Sequence, residues 1–303
     1  MKNEIYFKKR FLRQERAIHK TVATQQRLIK EIYTQCYKEL ETQLATFLKR
    51  YTYANNLTIA DTKKMLNTDE LARFRYSIKG YLREMDKLPI EQAAQLKKEL
   101  DILAGRTRVA RIKELQTAIQ VQLCKSAAKA EKTIKLQLES TVGYTYQDTK
   151  EILKSNTLAK LDHKAIQTIV DMDWNRSNYS KRLWANTSNL GQKLMKNVTT
   201  GIVQGNDYKQ MTKKLMQDTQ QGYFECRRIL HTETSYAMEK AKEKVFKDTG
   251  IKQYKIVATL DKSTSEICKR MNGAIFSVKD KIIGVNCPPL HPFCRSVSVP
   301  IVE

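Results

Sequence analysis

Between Phe11 and Tyr51 the chain reads FLRQERAIHKTVATQQRLIKEIYTQCYKELETQLATFLKRY. Its apolar positions Ile18, Val22, Ile29, Ile32, Cys36, Leu40, Leu44, Phe47 and Tyr51 recur at steps of three, four or seven, the spacing of one helix face. The stretch therefore predicts a long helix. A second stretch opens at Pro89, a residue suited to a first helical turn, and runs through Leu100 and Leu103 to Ile112, Leu115, Ile119, Leu123, Ala127, Ala130, Ile134 and Leu138. Gly105 marks a break in it, since glycine costs about 1 kcal/mol in a helix interior. Between the two, residues 61–86 read as shorter helices, with Thr68 as the cap before Leu71, Phe74 and Ile78.

Thr141 to Tyr146 (TVGYTY) interrupts the helical spacing, and the sequence divides there into a long-helical N-terminal region, 1–145, and a second part, 146–303. Further helices are expected at about 186–203, 207–219 and 222–248, the last closed by Gly250. After Gly250 the pattern changes to alternation over residues 251–259, 274–278 and 297–301, which predicts three short strands. The expected fold class is mainly α: an elongated N-terminal helical body, a helical segment, and a small loop-rich α+β knob over 251–303.

Lys and Arg number 55 against 32 Asp and Glu, a net charge of +23 that attracts polyanions. No stretch approaches the roughly 18 apolar residues of a membrane span, and the first ten residues run into charge without an apolar signal core. A protein made and kept in the cytosol is the expectation. Six cysteines are too sparse for a disulfide framework.

Cys268, Cys287, His291 and Cys294 share the last forty residues, spaced C-x18-C-x3-H-x2-C. Thiolate and imidazole donors at such spacings suit a tetrahedral zinc site, and prolines 288, 289 and 292 stiffen the loop. A buried thiol cluster with His291 bonded to backbone accounts for the same residues. Cys268 is expected on a short helix with Ser263 and Glu266 as a capping box. Between Trp174 and Trp184, Arg176, Lys181 and Arg182 interleave with aromatics, either to contact nucleic acid or to dock the segment on neighbouring helices. Arg228, His231 and Thr232 lie within one helical turn, as an anion pocket or a buried polar network. Asp261 and Glu233 are the candidate acids for catalysis. There is no glycine-rich phosphate cradle, no helix with two histidines at i, i+4, and no nucleophile elbow. No catalytic residues are therefore assigned.

The order of Arg228 and His231-Thr232-Glu233, then residues 258–265 (ATLDKSTS) with Cys268, then Asn272-Gly273, then residues 286–296 (NCPPLHPFCRS) resembles the C-terminal domain of tailed-phage minor head proteins typified by the phage Mu F protein. The ordered likeness covers about residues 170–298, and the front half is similar only in texture to minor capsid proteins of phages of Gram-positive bacteria. Arg228, Thr232, Glu233, Asp261, Cys268, Pro289, His291, Cys294 and Arg295 fall on the family's recognisable positions, whereas Cys287 and His231 depart from its pattern. The resemblance implies a head-morphogenesis protein, carried in few copies at the portal vertex inside the virion head after assembly in the host cytoplasm, that aids head assembly or genome ejection; with no catalytic motif in the sequence, an enzyme is not expected. Its implied partners are the portal protein, a capsid or scaffolding protein, and double-stranded DNA bound without sequence preference; a membrane is not among them. The one cofactor considered is a structural zinc. The alternative is a zinc-dependent nuclease of the phage head, using Cys268, His291, Cys294 and Asp261. Chains of this family can carry a toxin domain after the knob; none is expected here, because the sequence stops nine residues after Cys294.

Overall fold

The computed structural model describes residues 2–51, 64–88, 90–155 and 161–302. Eight helices occur among them: α1 (Lys2–Tyr51), α2 (Thr68–Asp86), α3 (Glu91–Gly105), α4 (Arg111–Ile152), α5 (His163–Asp171), α6 (Tyr179–Val203), α7 (Tyr208–Asp248) and the short α8 (Glu266–Met271). Three strands complete the described fold, β1 (Gln253–Val257), β2 (Ile275–Ser277) and β3 (Val297–Ile301). The fold is mainly α, with the predicted small sheet at its C-terminal end. Pro89, the expected opening of the second helical stretch, lies outside the described residues, as do residues 61–63 of the expected third.

Cα packing separates two compact units, each assembled from distant stretches of chain. One contains Met1–Leu28, Lys132–Arg182 and Arg227–Glu303, and the other Ile29–Glu131 and Leu183–Cys226.

In the unit that holds the sheet, Phe11, Ile18 and Val22 of α1 are buried, as the helical spacing requires. Burying a side chain such as Phe11 contributes about 1.5–3 kcal/mol. Its ring meets Phe246 of α7 edge-on at 6.1 Å. Thr141, Val142, Thr145, Tyr146 and Thr149 are also buried, and α4 runs through them unbroken to Ile152. The predicted break at 141–146 is thus corrected. β-branched and aromatic residues have only weak intrinsic resistance to helix, and here their burial outweighs it. Gln14 of α1 reinforces the helix by donating to Asp148 at 2.7 Å and to Thr149 at 3.1 Å.

The sheet order is β2-β1-β3, antiparallel throughout, with Tyr254 opposite Phe276 on one side and Pro300 on the other. Pro300 is tolerated because β3 is an edge strand. α7 ends at Asp248 and is closed as predicted by Gly250, whose φ of +70° suits a residue without Cβ, and Ile251 N–H closes on Phe246 O at 2.9 Å.

In the other unit, α2 is capped by Asn67 and not by the expected Thr68: its side chain accepts from Glu70 N–H while the Glu70 carboxylate accepts from Asn67 N–H. Phe74, Ile78 and Met85 of α2 join Leu96, Leu100 and Leu103 of α3 in one apolar cluster. α3 stops at Gly105, the predicted break. α7 passes through Gly222, so the two expected helices at 207–219 and 222–248 are one. The glycine answers a close approach: a Cβ there would lie 2.6 Å from Leu190 Cδ2 and 3.0 Å from Tyr33 Cε1.

Candidate functional site

The side chains whose geometry follows all lie within the sheet-bearing unit. Three positions of α7, Glu233, Ser235 and Glu239, organise the loops around it, and each does so by hydrogen bonding.

Glu239 and Lys242 are fully buried one helical turn apart, with Lys242 Nζ 2.9 Å from Glu239 Oε1. Lys281, on the loop after β2, puts its Nζ 3.1 Å from Oε2. The Ser298 N–H of β3 donates to Oε1 at 3.0 Å, its hydroxyl donates to Oε2, and the Cys287 thiol reaches Oε2 at 3.4 Å. Burial alone would push the Glu239 carboxyl up, but Lys242, Lys281 and Ser298 outweigh it and hold the group at about 2. Two lysines on one carboxylate leave an excess positive charge, which faces aromatic rings: Lys281 lies 5.4 Å from the Phe246 centroid and 5.2 Å from that of Tyr254. Burial pushes the Cys287 thiol up. Glu239 and Lys281 carry no sequence signal, because Lys281 and Ser298 stand 42 and 59 residues from Glu239 along the chain.

Glu233, six residues earlier, accepts from Trp174 Nε1 at 2.7 Å and pairs with Arg182. Arg182 also donates to Trp174 O at 2.6 Å and lies 4.9 Å from the Trp174 ring, which stacks on Tyr236 at 4.7 Å. The interleaved aromatic and basic segment therefore docks on α7 through Trp174 and Arg182. Lys181 pairs with Asp173 at 2.7 Å, and Arg176 is exposed. Burial raises the Glu233 carboxyl despite the opposing bonds from Trp174 and Arg182.

His231 is part of a network: it stacks on His19 at 5.8 Å and has Gln26 Oε1 2.9 Å from Nε2. Burial, with His19 and Arg227 nearby, pushes its ring down to about 4, so it is neutral at pH 7. The Thr232 hydroxyl donates to Arg228 O at 2.7 Å and accepts from Phe293 N–H at 3.4 Å. That second bond fixes one end of the proline-rich loop, in which Pro289 is buried.

The same loop brings His291 and Cys294 against Cys268. Cys268 sits in the first turn of α8, whose cap is Ser265, accepting from Cys268 N–H at 3.4 Å. Ser263, expected as the cap, instead donates its N–H to Asp261 at 2.8 Å in the preceding turn. Cys268 Sγ is 3.1 Å from His291 Nε2 and 3.6 Å from Cys294 Sγ. The hydrogen bond shared with Cys294 lowers the Cys268 thiol to about 4, and the same bond together with burial raises the Cys294 thiol. Ser235 of α7 donates to Cys294 O at 3.3 Å, and Arg295 forks onto Asp261 at 2.6 and 2.7 Å, holding that carboxyl well below its usual range. Of the four residues predicted as metal ligands, the structure brings together Cys268, His291 and Cys294; Cys287 lies on the Glu239 network.

Residues 192–299 match the family described as phage Mu protein F like protein. Over 187 residues, 58% of this chain, the sequence is 27% identical to the protein of Enterococcus faecalis (strain ATCC 700802 / V583) named NAD(+)--arginine ADP-ribosyltransferase EFV. The match spans 38% of that relative's length. No solved structure matches the chain.

Proposed function

We propose that this chain, whose residues 192–299 match the family described as phage Mu protein F like protein, is a minor head protein acting by binding and not by turnover. It is carried in few copies at the portal vertex, where it meets the portal, a capsid or scaffolding protein, and packaged DNA. The family match carries this reading. The geometry supports it, because Thr232, Glu233, Asp261 and Arg295 are engaged with other parts of their own unit: the proline-rich loop, the Trp174 segment and each other. The net charge of +23 supports sequence-independent phosphate contact. The activity in the Enterococcus faecalis protein's name stays with that protein.

Two assays test the proposal. Co-expressed portal is expected to co-purify with this chain after nuclease treatment, and loss of the pair on nuclease treatment would remove direct portal contact. Affinity for mixed-sequence duplex DNA is expected to fall by about 10³-fold or more between roughly 50 and 200 mM salt. A salt-insensitive affinity would remove phosphate contact as the reason for the charge. DNA cleavage abolished both by EDTA and by Cys294→Ala would replace the proposal with the nuclease alternative.

A further inference from the structure

We infer that Cys268, His291 and Cys294 form a binding site for one divalent transition-metal cation of the zinc type, with a fourth position that Cys287 does not fill.

The first support is distance. A tetrahedral zinc with Zn–S of about 2.3 Å and Zn–N of about 2.0 Å sets its sulfurs about 3.8 Å apart and sulfur from nitrogen about 3.5 Å apart. The structure has 3.6 Å between the two sulfurs and 3.1 Å between Cys268 Sγ and His291 Nε2. All three donor atoms lie within 4.8 Å of one another, and they are the group of three such donors found among the described residues. Small outward shifts of the side chains admit the ion.

The second is the tautomer of His291. Its Nδ1 is 2.7 Å from Pro292 O. A carbonyl oxygen only accepts, so Nδ1 carries a hydrogen, and in the neutral ring the lone pair is then on Nε2, 3.1 Å from Cys268 Sγ. A ligating histidine is commonly oriented in this way, by a backbone carbonyl on its far nitrogen.

The third is how the donors are held. Cys268 is fixed by the start of α8, and Cys294 by Ser235 through its carbonyl and by the turn from Cys294 N–H to His291 O at 3.2 Å. Both cysteines are buried, at 3% and 1% exposure. Donors that converge before any ion arrives lose little freedom on binding it.

The fourth position follows from what surrounds the trio. Cys287, the remaining thiol of the motif, points its sulfur at Glu239. Beside Cys268 and His291 lies a cavity of about 20 Å³ lined also by Thr259, Thr264, Ser265 and Ser296. That volume holds about one water molecule, and hydroxyls on its wall can bond one. The site thus has three protein ligands and one solvent position.

The test uses the full chain, purified reduced and without chelator. Zinc measured by plasma mass spectrometry is expected at one atom per chain, and cobalt(II) in its place is expected to give strong tetrahedral d–d bands with thiolate charge transfer. Cys268→Ser and Cys294→Ser are each expected to weaken cobalt binding by more than about 100-fold, beyond the usual cost of disturbing an outer partner, whereas Cys287→Ala keeps it. The cobalt spectrum of the unaltered chain decides the matter even where a variant fails to fold. Absence of zinc and cobalt uptake by the reduced chain would overturn the inference. So would weak octahedral cobalt bands, a Cys268–Cys294 disulfide in freshly isolated protein, or loss of metal in Cys287→Ala with retention in Cys294→Ser.

Discussion

Around Glu239 charges of both signs are sealed away from water and bonded to one another, whereas around Cys268 three soft donors face each other at the edge of a small polar cavity. Both clusters are built on the same helix and the same proline-rich loop, and Cys287 and Cys294 send their sulfurs to different ones. The difference separates two uses of polar residues. A cluster whose bonds are complete within the protein holds strands to a helix, whereas donors that converge on a common point are the arrangement from which the metal site is inferred.

The largest effect expected from this contrast is on the sealed side. Glu239→Ala leaves Lys242 and Lys281 buried without their carboxylate and should cost about 3–5 kcal/mol of stability, measured by denaturant unfolding. A loss below about 1 kcal/mol would mean that water reaches the cluster. The same carboxylate gives a pH signature. Its folded value is about 2 against an ordinary 4.5, so its contribution is complete above the ordinary value and is lost as pH falls through that window. The stability gap between wild type and Glu239→Gln should therefore narrow between pH about 4.5 and about 2, and a gap that widens on acidification would contradict the pairing.

Next in size is Arg182→Ala, which strands the buried Glu233. Arg182 is 24% exposed, so the cost should be about 2 kcal/mol, under the figure for a fully buried pair. If Arg182→Ala instead leaves stability unchanged while weakening DNA affinity, the segment serves nucleic acid and not docking. Cys287→Ala should cost about 1 kcal/mol, because a thiol is a weak donor and lysines still satisfy Glu239. The smallest change in stability belongs to Asp261→Asn, an exposed partner of Arg295. Its effect should appear instead as about a tenfold loss of cobalt affinity through the loosened loop. Equal affinity would show that the fork onto Arg295 does not position Cys294.

What could be read from the sequence follows the range of the interactions involved. α1, the stop at Gly105 and the three strands depend on spacing within one element, and all were legible. The Cys268, His291 and Cys294 grouping was legible too, because its donors are chemically distinctive. Cys287 is equally distinctive but belongs with Glu239, and spacing carries no direction for a side chain. The break expected between 219 and 222 is absent, and Gly222 sits there as the residue that fits where helices crowd, against Leu190 and Tyr33. Thr141 to Tyr146 reads as irregular because its helix is secured by burial and not by propensity. The Glu239 network was illegible, since Lys281 and Ser298 lie far along the chain and lysine and glutamate ordinarily signify surface.

The most direct test of the proposed function is quantitative mass spectrometry of purified, DNA-filled heads produced from the genome in which this chain is encoded, counting its copies against those of the portal after external protease treatment. A few protected copies per portal ring is the predicted result. Its absence from both procapsids and filled heads would contradict a role as a minor head protein.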